Sequence, residues 1–149
     1  MKLQNKLNAK GEVFVTLKKE DGSTEVIEHH NLIVDTGLQR IIGCFLGTAS
    51  GGPTEIHAGT GTTWPIASDT ALETEIASTP ILSITQTGAG NVLEITGMFG
   101  IFEAVGIITE LGLFCDDGTM FSRTVFDNGL EKCDLDELYV TWIITVAGF

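Results

Sequence analysis

Past residue 50 this chain is nearly without positive charge: Arg123 and Lys132 are its only bases there, against fourteen acids. Residues 1–50 hold six of each sign, so the whole net charge of −12 lies in residues 51–149. Such a surface would meet a phosphate backbone with repulsion, which excludes nucleic acid as the partner of that part. Long apolar runs are missing too. None nears the roughly 18 residues of a spanning helix, so no membrane partner is expected. No apolar stretch follows Met1-Lys2-Leu3-Gln4-Asn5-Lys6, so a secretory signal is not expected either. Cysteine is scarce and odd in number. Cys44, Cys115 and Cys133 have no Cys-x-x-Cys spacing, fit neither a disulfide framework nor a zinc site, and read as reduced thiols made in a cytoplasm. No repeat, heptad or collagen-like tract is present, which excludes an elongated shaft. Proline is rare, with 3 residues against 18 glycines, so the turns are glycine turns.

What remains is 149 residues of 43% hydrophobic composition. A chain of that size buries roughly two thirds of its unfolded surface in one domain. Short apolar runs lie between turn signals, the pattern of an all-β domain. Glu12–Leu17 alternates, Glu20-Asp21-Gly22-Ser23 turns, and Thr24–Glu28 returns as a hairpin. Asp35–Gly47 reads as a helix, capped by Asp35 or Thr36 and closed by Gly47, with Leu38, Ile41, Ile42 and Phe45 as one apolar stripe. Residues 48–63 are loop-rich, with a short strand at Glu55–Ala58. Thr70 and Glu73 form a capping-box pair, so Ser68–Ile76 is expected to make one or two helical turns. Further strands are expected at Ile81–Thr87, Val92–Phe99 continuing to Glu103, Gly106–Phe114, Thr119–Phe126 and Leu138–Val146. Together these predict a sandwich or jelly-roll-like fold with one or two short helices, spanning residues 11–149. Residues 1–10 read as an N-terminal arm. The first 19 residues carry five bases and one acid, against −16 for the rest, so the arm suits an acidic surface of a neighbouring copy.

Motifs that carry chemistry are weak. Gly59-Thr60-Gly61-Thr62-Thr63 lacks the lysine of a phosphate loop and reads as a structural loop whose glycines permit positive φ. His29 and His30 are strand neighbours that point to opposite faces, so they do not make a metal pair. Asp127, Glu131, Asp134, Asp136 and Glu137 do not follow a calcium-loop spacing and read as a solvated acidic loop around Asn128-Gly129. Ser68, Asp69 and His57 lack any nucleophile elbow. No catalytic, cofactor-binding or metal-ligating residue is therefore assigned, and no enzyme is expected. Glu110 and Arg123 are set apart by their apolar surroundings, and their strands should bring them together as a cross-strand pair. A carbohydrate-binding face would need aromatics in one plane, yet Tyr139 and Trp142 fall on opposite faces.

Three stretches in order carry a resemblance. They are His30-Asn31-Leu32-Ile33-Val34-Asp35-Thr36-Gly37, then Ala58–Thr63 leading to Ser68–Glu75, then Ile108–Phe114 continuing into Met120–Phe126 and the closing Tyr139–Trp142 strand. Over roughly residues 26–146 the chain resembles small virion structural proteins of tailed bacteriophages. The resemblance implies a non-enzymatic structural protein located in the virion and synthesised in the host cytoplasm. It implies a capsid decoration or cement protein first, and a tail-tip or fibre-associated domain binding a tail protein or host receptor as the alternative. Its partners would be other virion proteins and further copies of itself, since Tyr139–Phe149 is an acid-free, mostly apolar run with more surface than one core can cover.

Overall fold

Apolar residues at every second position from Val13 to Leu17 place one face of the first strand in the core and the other outside. That pattern recurs through most of the chain, which folds as nine antiparallel strands and one helix in the computed structural model. The structure describes residues 7–148. In chain order the elements are β1 (Leu7–Lys18), β2 (Thr24–Ile33), α1 (Asp35–Leu46), β3 (Pro53–Gly59), β4 (Glu75–Pro80), β5 (Ser83–Thr87), β6 (Val92–Phe99), β7 (Gly106–Cys115), β8 (Met120–Lys132) and β9 (Glu137–Gly148).

The strands form a single sheet in the order β4-β3-β7-β8-β2-β1-β9-β6-β5. Its two edge strands, β4 and β5, are consecutive in the chain and separated only by Ile81 and Leu82. The Ile81 N–H donates to Thr54 O (2.9 Å) on one side of the seam, and the Leu82 N–H to Thr96 O (2.8 Å) on the other. The Thr79 hydroxyl adds a bond to Met98 O (3.0 Å). A sheet whose edge strands are joined by one dipeptide must curl to bring them together. On the far side the halves are joined by β2, which pairs with β1 over eight positions but with β8 only through Leu32 and Ile33. The curled halves enclose one core, with Val13, Val15, Trp142 and Ile95 among the residues from β1, β9 and β6, and Ile56, Ile108, Leu111 and Leu113 from β3 and β7. The all-β expectation holds, with the two layers supplied by one curled sheet.

The 35–47 helix forms, and Gly47 closes it in the left-handed region (φ 72°). Its start differs from expectation. The N-cap is Val34 without a side-chain bond, and the Thr36 hydroxyl donates instead to Met120 O (2.6 Å). Its orientation differs as well. The buried helical positions are Gly37 and Gly43, whereas Leu38, Ile42 and Phe45 are exposed. A Cβ on Gly37 would collide with the Phe121 backbone, so the helix docks closely on β8 at Gly37, while Ile41 packs against the core and Leu38, Ile42 and Phe45 of the stripe turn outward.

Five further expectations are corrected. Ser68–Ile76 is not helical: Glu73 and Thr74 turn their N–H groups to a side chain on β7, and Glu75 begins the unforeseen strand β4. The Asp127–Lys132 stretch is the end of β8 rather than a loop, kept in the sheet by a register shift opposite Ile108 and Glu110. Asp136, expected to be solvated, is buried. Its carboxylate accepts the Cys133 N–H (2.8 Å) and the Glu20 N–H (3.1 Å). Those bonds, Cys133 first, hold its pKa below the ordinary value. Residues 7–10, placed in the arm, belong to β1 and pair with β9, while the rest of that arm lies outside the described residues. Strand β6 stops at Phe99, where the chain turns through Phe102 (φ 63°) and Ala104 (φ 48°).

Candidate functional site

Both faces of β7 are covered from Ile108 to Cys115, because the segment between β3 and β4 folds over its outer side. Under that cover lies the Glu110–Arg123 pair. The register sets Glu110 opposite Val125 and Gly112 opposite Arg123, so the two are diagonal neighbours. The carboxylate of Glu110 is fully buried and has five donors. Arg123 gives Nε (3.1 Å) and Nη2 (2.8 Å) to one oxygen, which also takes the Glu73 N–H (3.1 Å). Gly61 (3.0 Å) and Thr74 (2.8 Å) give their N–H groups to the other. Arg123 completes its fork with Asp69 (2.9 Å), whose carboxylate also accepts the Ile66 N–H (3.0 Å). Burial opposes the Arg123 charge, but the hydrogen bonds and charges of Glu110 and Asp69 outweigh it and raise its pKa further. The Thr63 N–H binds Glu73 (2.8 Å), which lowers the pKa of that carboxyl.

This network is a latch that clamps residues 60–74 onto the sheet. Five donors converge on the Glu110 carboxylate, and Arg123 has its charge matched by Glu110 and Asp69. Gly59 and Gly61 serve it by close approach and do not use the positive φ that glycine permits: a Cβ on Gly61 would lie 2.5 Å from Glu110 Oε1.

The other sequence candidates fall in separate places. His57 lies between Glu55 (2.9 Å from Nε2) and Glu75, with its ring stacked 4.0 Å from Phe114. Its ring nitrogens are therefore directed at those carboxylates, while Asp69 serves Arg123. His29 stacks on Trp64 and meets Phe126 edge-on, and His30 accepts the Thr124 hydroxyl bond at its carbonyl. Trp142 is in the core while Tyr139 is exposed, as their spacing requires. Cys115 is buried, which pushes its thiol pKa up, whereas Cys44 and Cys133 are exposed. Among the described residues no three His, Cys, Asp or Glu side chains are placed to hold a metal ion.

Reading residue types missed both ends of the barrel. At the end where β1 begins, α1 overhangs an apolar groove of about 600 Å³ lined by residues including Ile42, Phe45, Ile84 and Leu93. At the opposite end, a depression of about 650 Å³ is rimmed by Phe102, Val105, Ile107 and Leu135. Lys132 lies buried beneath that rim and donates to Gly100 O (2.8 Å). Desolvation lowers its pKa. The one available signal was that Lys132 is the only lysine after Lys19. Compared with known protein families, curated proteins and solved structures, the chain has no match.

Proposed function

We propose that this chain is a non-enzymatic structural subunit of a tailed-bacteriophage virion, most specifically a capsid decoration or cement protein. The reading rests on the sequence resemblance and on one structural observation: large apolar side chains stand in water at both ends of the barrel. Phe45 is 82% exposed, Leu46 71% and Phe102 68%. Exposed apolar patches of this kind mark surfaces that another protein covers. The polar groups that might have suggested chemistry are engaged in holding the fold, which favours a building block over an enzyme. A tail-tip or fibre-associated domain is the second reading, favoured by the same exposed ends.

Immunogold microscopy of purified virions with antibody to this chain tests both. Label over the capsid faces is the expected result, label at the tail tip selects the second reading, and virions free of the protein overturn the proposal.

A further inference from the structure

The depression at the Phe102 end mixes apolar and acidic surface in one small area. Phe102, Val105, Ile107 and Leu135 are exposed at its rim, and the exposed acids Glu20, Glu131 and Asp134 stand among them. Strand register and local hydrogen bonds fix this mixture. Ile107 of β7 is directly opposite Glu131 of β8, so the two side chains share a face and lie side by side. Leu135 follows Asp134 in the turn that the Asp136 N–H closes on Cys133 O (3.2 Å). The Glu20 N–H reaches the Asp136 carboxylate (3.1 Å), which sets Glu20 beside that turn. The Phe102 N–H donates to Asp134 O (2.6 Å) and brings the aromatic residue to the same place.

The apolar part of the rim is held in position. Phe102 and Ala104 are the only non-glycine residues with positive φ among the described residues, a conformation that the surroundings must impose. Gly100 anchors it from two sides: its N–H donates to Glu103 (2.7 Å), and its carbonyl accepts Lys132 Nζ (2.8 Å).

The carboxylates decide what can cover such a rim. Among the described residues no hydrogen bond or ion pair reaches the carboxylate of Glu20, Glu131 or Asp134. Lys19 meets Glu131 only at its backbone carbonyl (3.4 Å) and has Glu25 as its charged neighbour (3.9 Å). The lining therefore sets three acids against one base, the buried Lys132. Because Ile107 adjoins Glu131 and Leu135 adjoins Asp134, no partner can cover the apolar groups without also taking water from the acids. A neutral or acidic partner would leave those charges desolvated and unmatched. A partner bearing arginine or lysine beside apolar side chains matches both kinds of surface.

We infer that this depression is the docking surface for a polypeptide segment of another protein that presents cationic side chains next to apolar ones. The inference rests on the structural-subunit reading and names the chemistry of one partner surface. A volume of about 650 Å³ has room for a few side chains of such a segment.

Chemical-shift titration of the isotope-labelled full chain tests it with three probes, each added to about 5 mM, where a weak contact saturates. They are the peptide acetyl-Arg-Leu-Gly-Leu-Arg-amide, its counterpart with glutamate in place of arginine, and arginine amide alone. The arginine peptide should give saturable shifts confined to the amides of residues 102–107 and 131–135, and the other two probes should not. The double variant Glu131→Gln/Asp134→Asn and the single variant Phe102→Gly should each weaken that binding about fivefold or more. Glycine suits the positive φ at position 102, and the carboxamides keep the shape of the acids, so both variants should retain the fold. Thermal melts check this, and the comparison of probes on the wild type needs neither variant. The proposal falls if the arginine peptide gives no saturable shift or shifts elsewhere, or if the glutamate peptide binds as well. It falls too if arginine amide reproduces the shifts, which would mean a site for a free cation only, or if folded variants bind as the wild type does. Absence from virions would overturn the proposed function and leave these titrations unchanged.

Discussion

Glu110 bears more of the architecture than any other polar residue, because one carboxylate ties together β7, β8 and the covering segment 60–74. Removing it strands Arg123, 2% exposed, and three backbone N–H groups. Breaking one partner of a buried ion pair costs about 3–5 kcal/mol, so Glu110→Ala should lower unfolding free energy by that order in urea denaturation. Glu110→Gln keeps an acceptor and the shape, and should lose less. A different single-residue test concerns Gly61. Alanine there should destabilise by about 1–3 kcal/mol, because the added methyl overlaps Glu110 and Glu73 in a packed site. Loss of stability in Gly61→Ala would match the close-approach explanation; an unchanged midpoint would refute it.

At the scale of elements, α1 sets helix propensity against packing. Two glycines in twelve residues weaken it, and Gly→Ala in a helix ordinarily gains close to 1 kcal/mol. Gly37→Ala should nonetheless destabilise, since its methyl would enter the Phe121 backbone, which has no flexible end to move aside. A urea midpoint above wild type for Gly37→Ala would contradict the docking described for α1. The 100–105 turn offers a second element-scale test. Lys132→Met keeps the aliphatic stem and removes the bond to Gly100 O, so amide exchange should accelerate across residues 100–105 and stay unchanged in β1 and β9.

For the whole molecule, pH acts through carboxylates held below their ordinary pKa. Asp21, Glu73, Asp117 and Asp136 are each lowered chiefly by hydrogen bonds, from Ser23, Thr63, Thr119 and Cys133 respectively. A group whose folded pKa is depressed contributes fully above its unfolded value, about 4, and loses that contribution as pH falls through the folded value. Thermal midpoints should therefore hold from pH 7 to about 5 and fall steeply below pH 4. Asp136→Asn should be less stable than wild type at pH 7 and show a shallower fall in acid.

Alternation, turn residues and periodicity made much of this fold legible before any coordinates: the 12–28 hairpin, the 35–47 helix, six of the later strands in part or whole, and the convergence of Glu110 with Arg123. These signals are local, or they follow from strand pairing across a short turn, so neighbouring residues suffice to specify them. What the Thr70–Glu73 pair would do was not legible. A capping box and a tertiary latch use the same hydroxyl and acidic residues, and only the arrival of Glu110 from a strand 37 residues away decides that Glu73 donates its N–H there. The outward turn of Leu38, Ile42 and Phe45 has the same cause, since the close approach of backbones at Gly37 seats the helix on β8. The closure of β4 against β5 and the opposed apolar ends depend on which strands become neighbours across the curled sheet. Long-range pairing is a property of the assembled chain, and no window of sequence contains it.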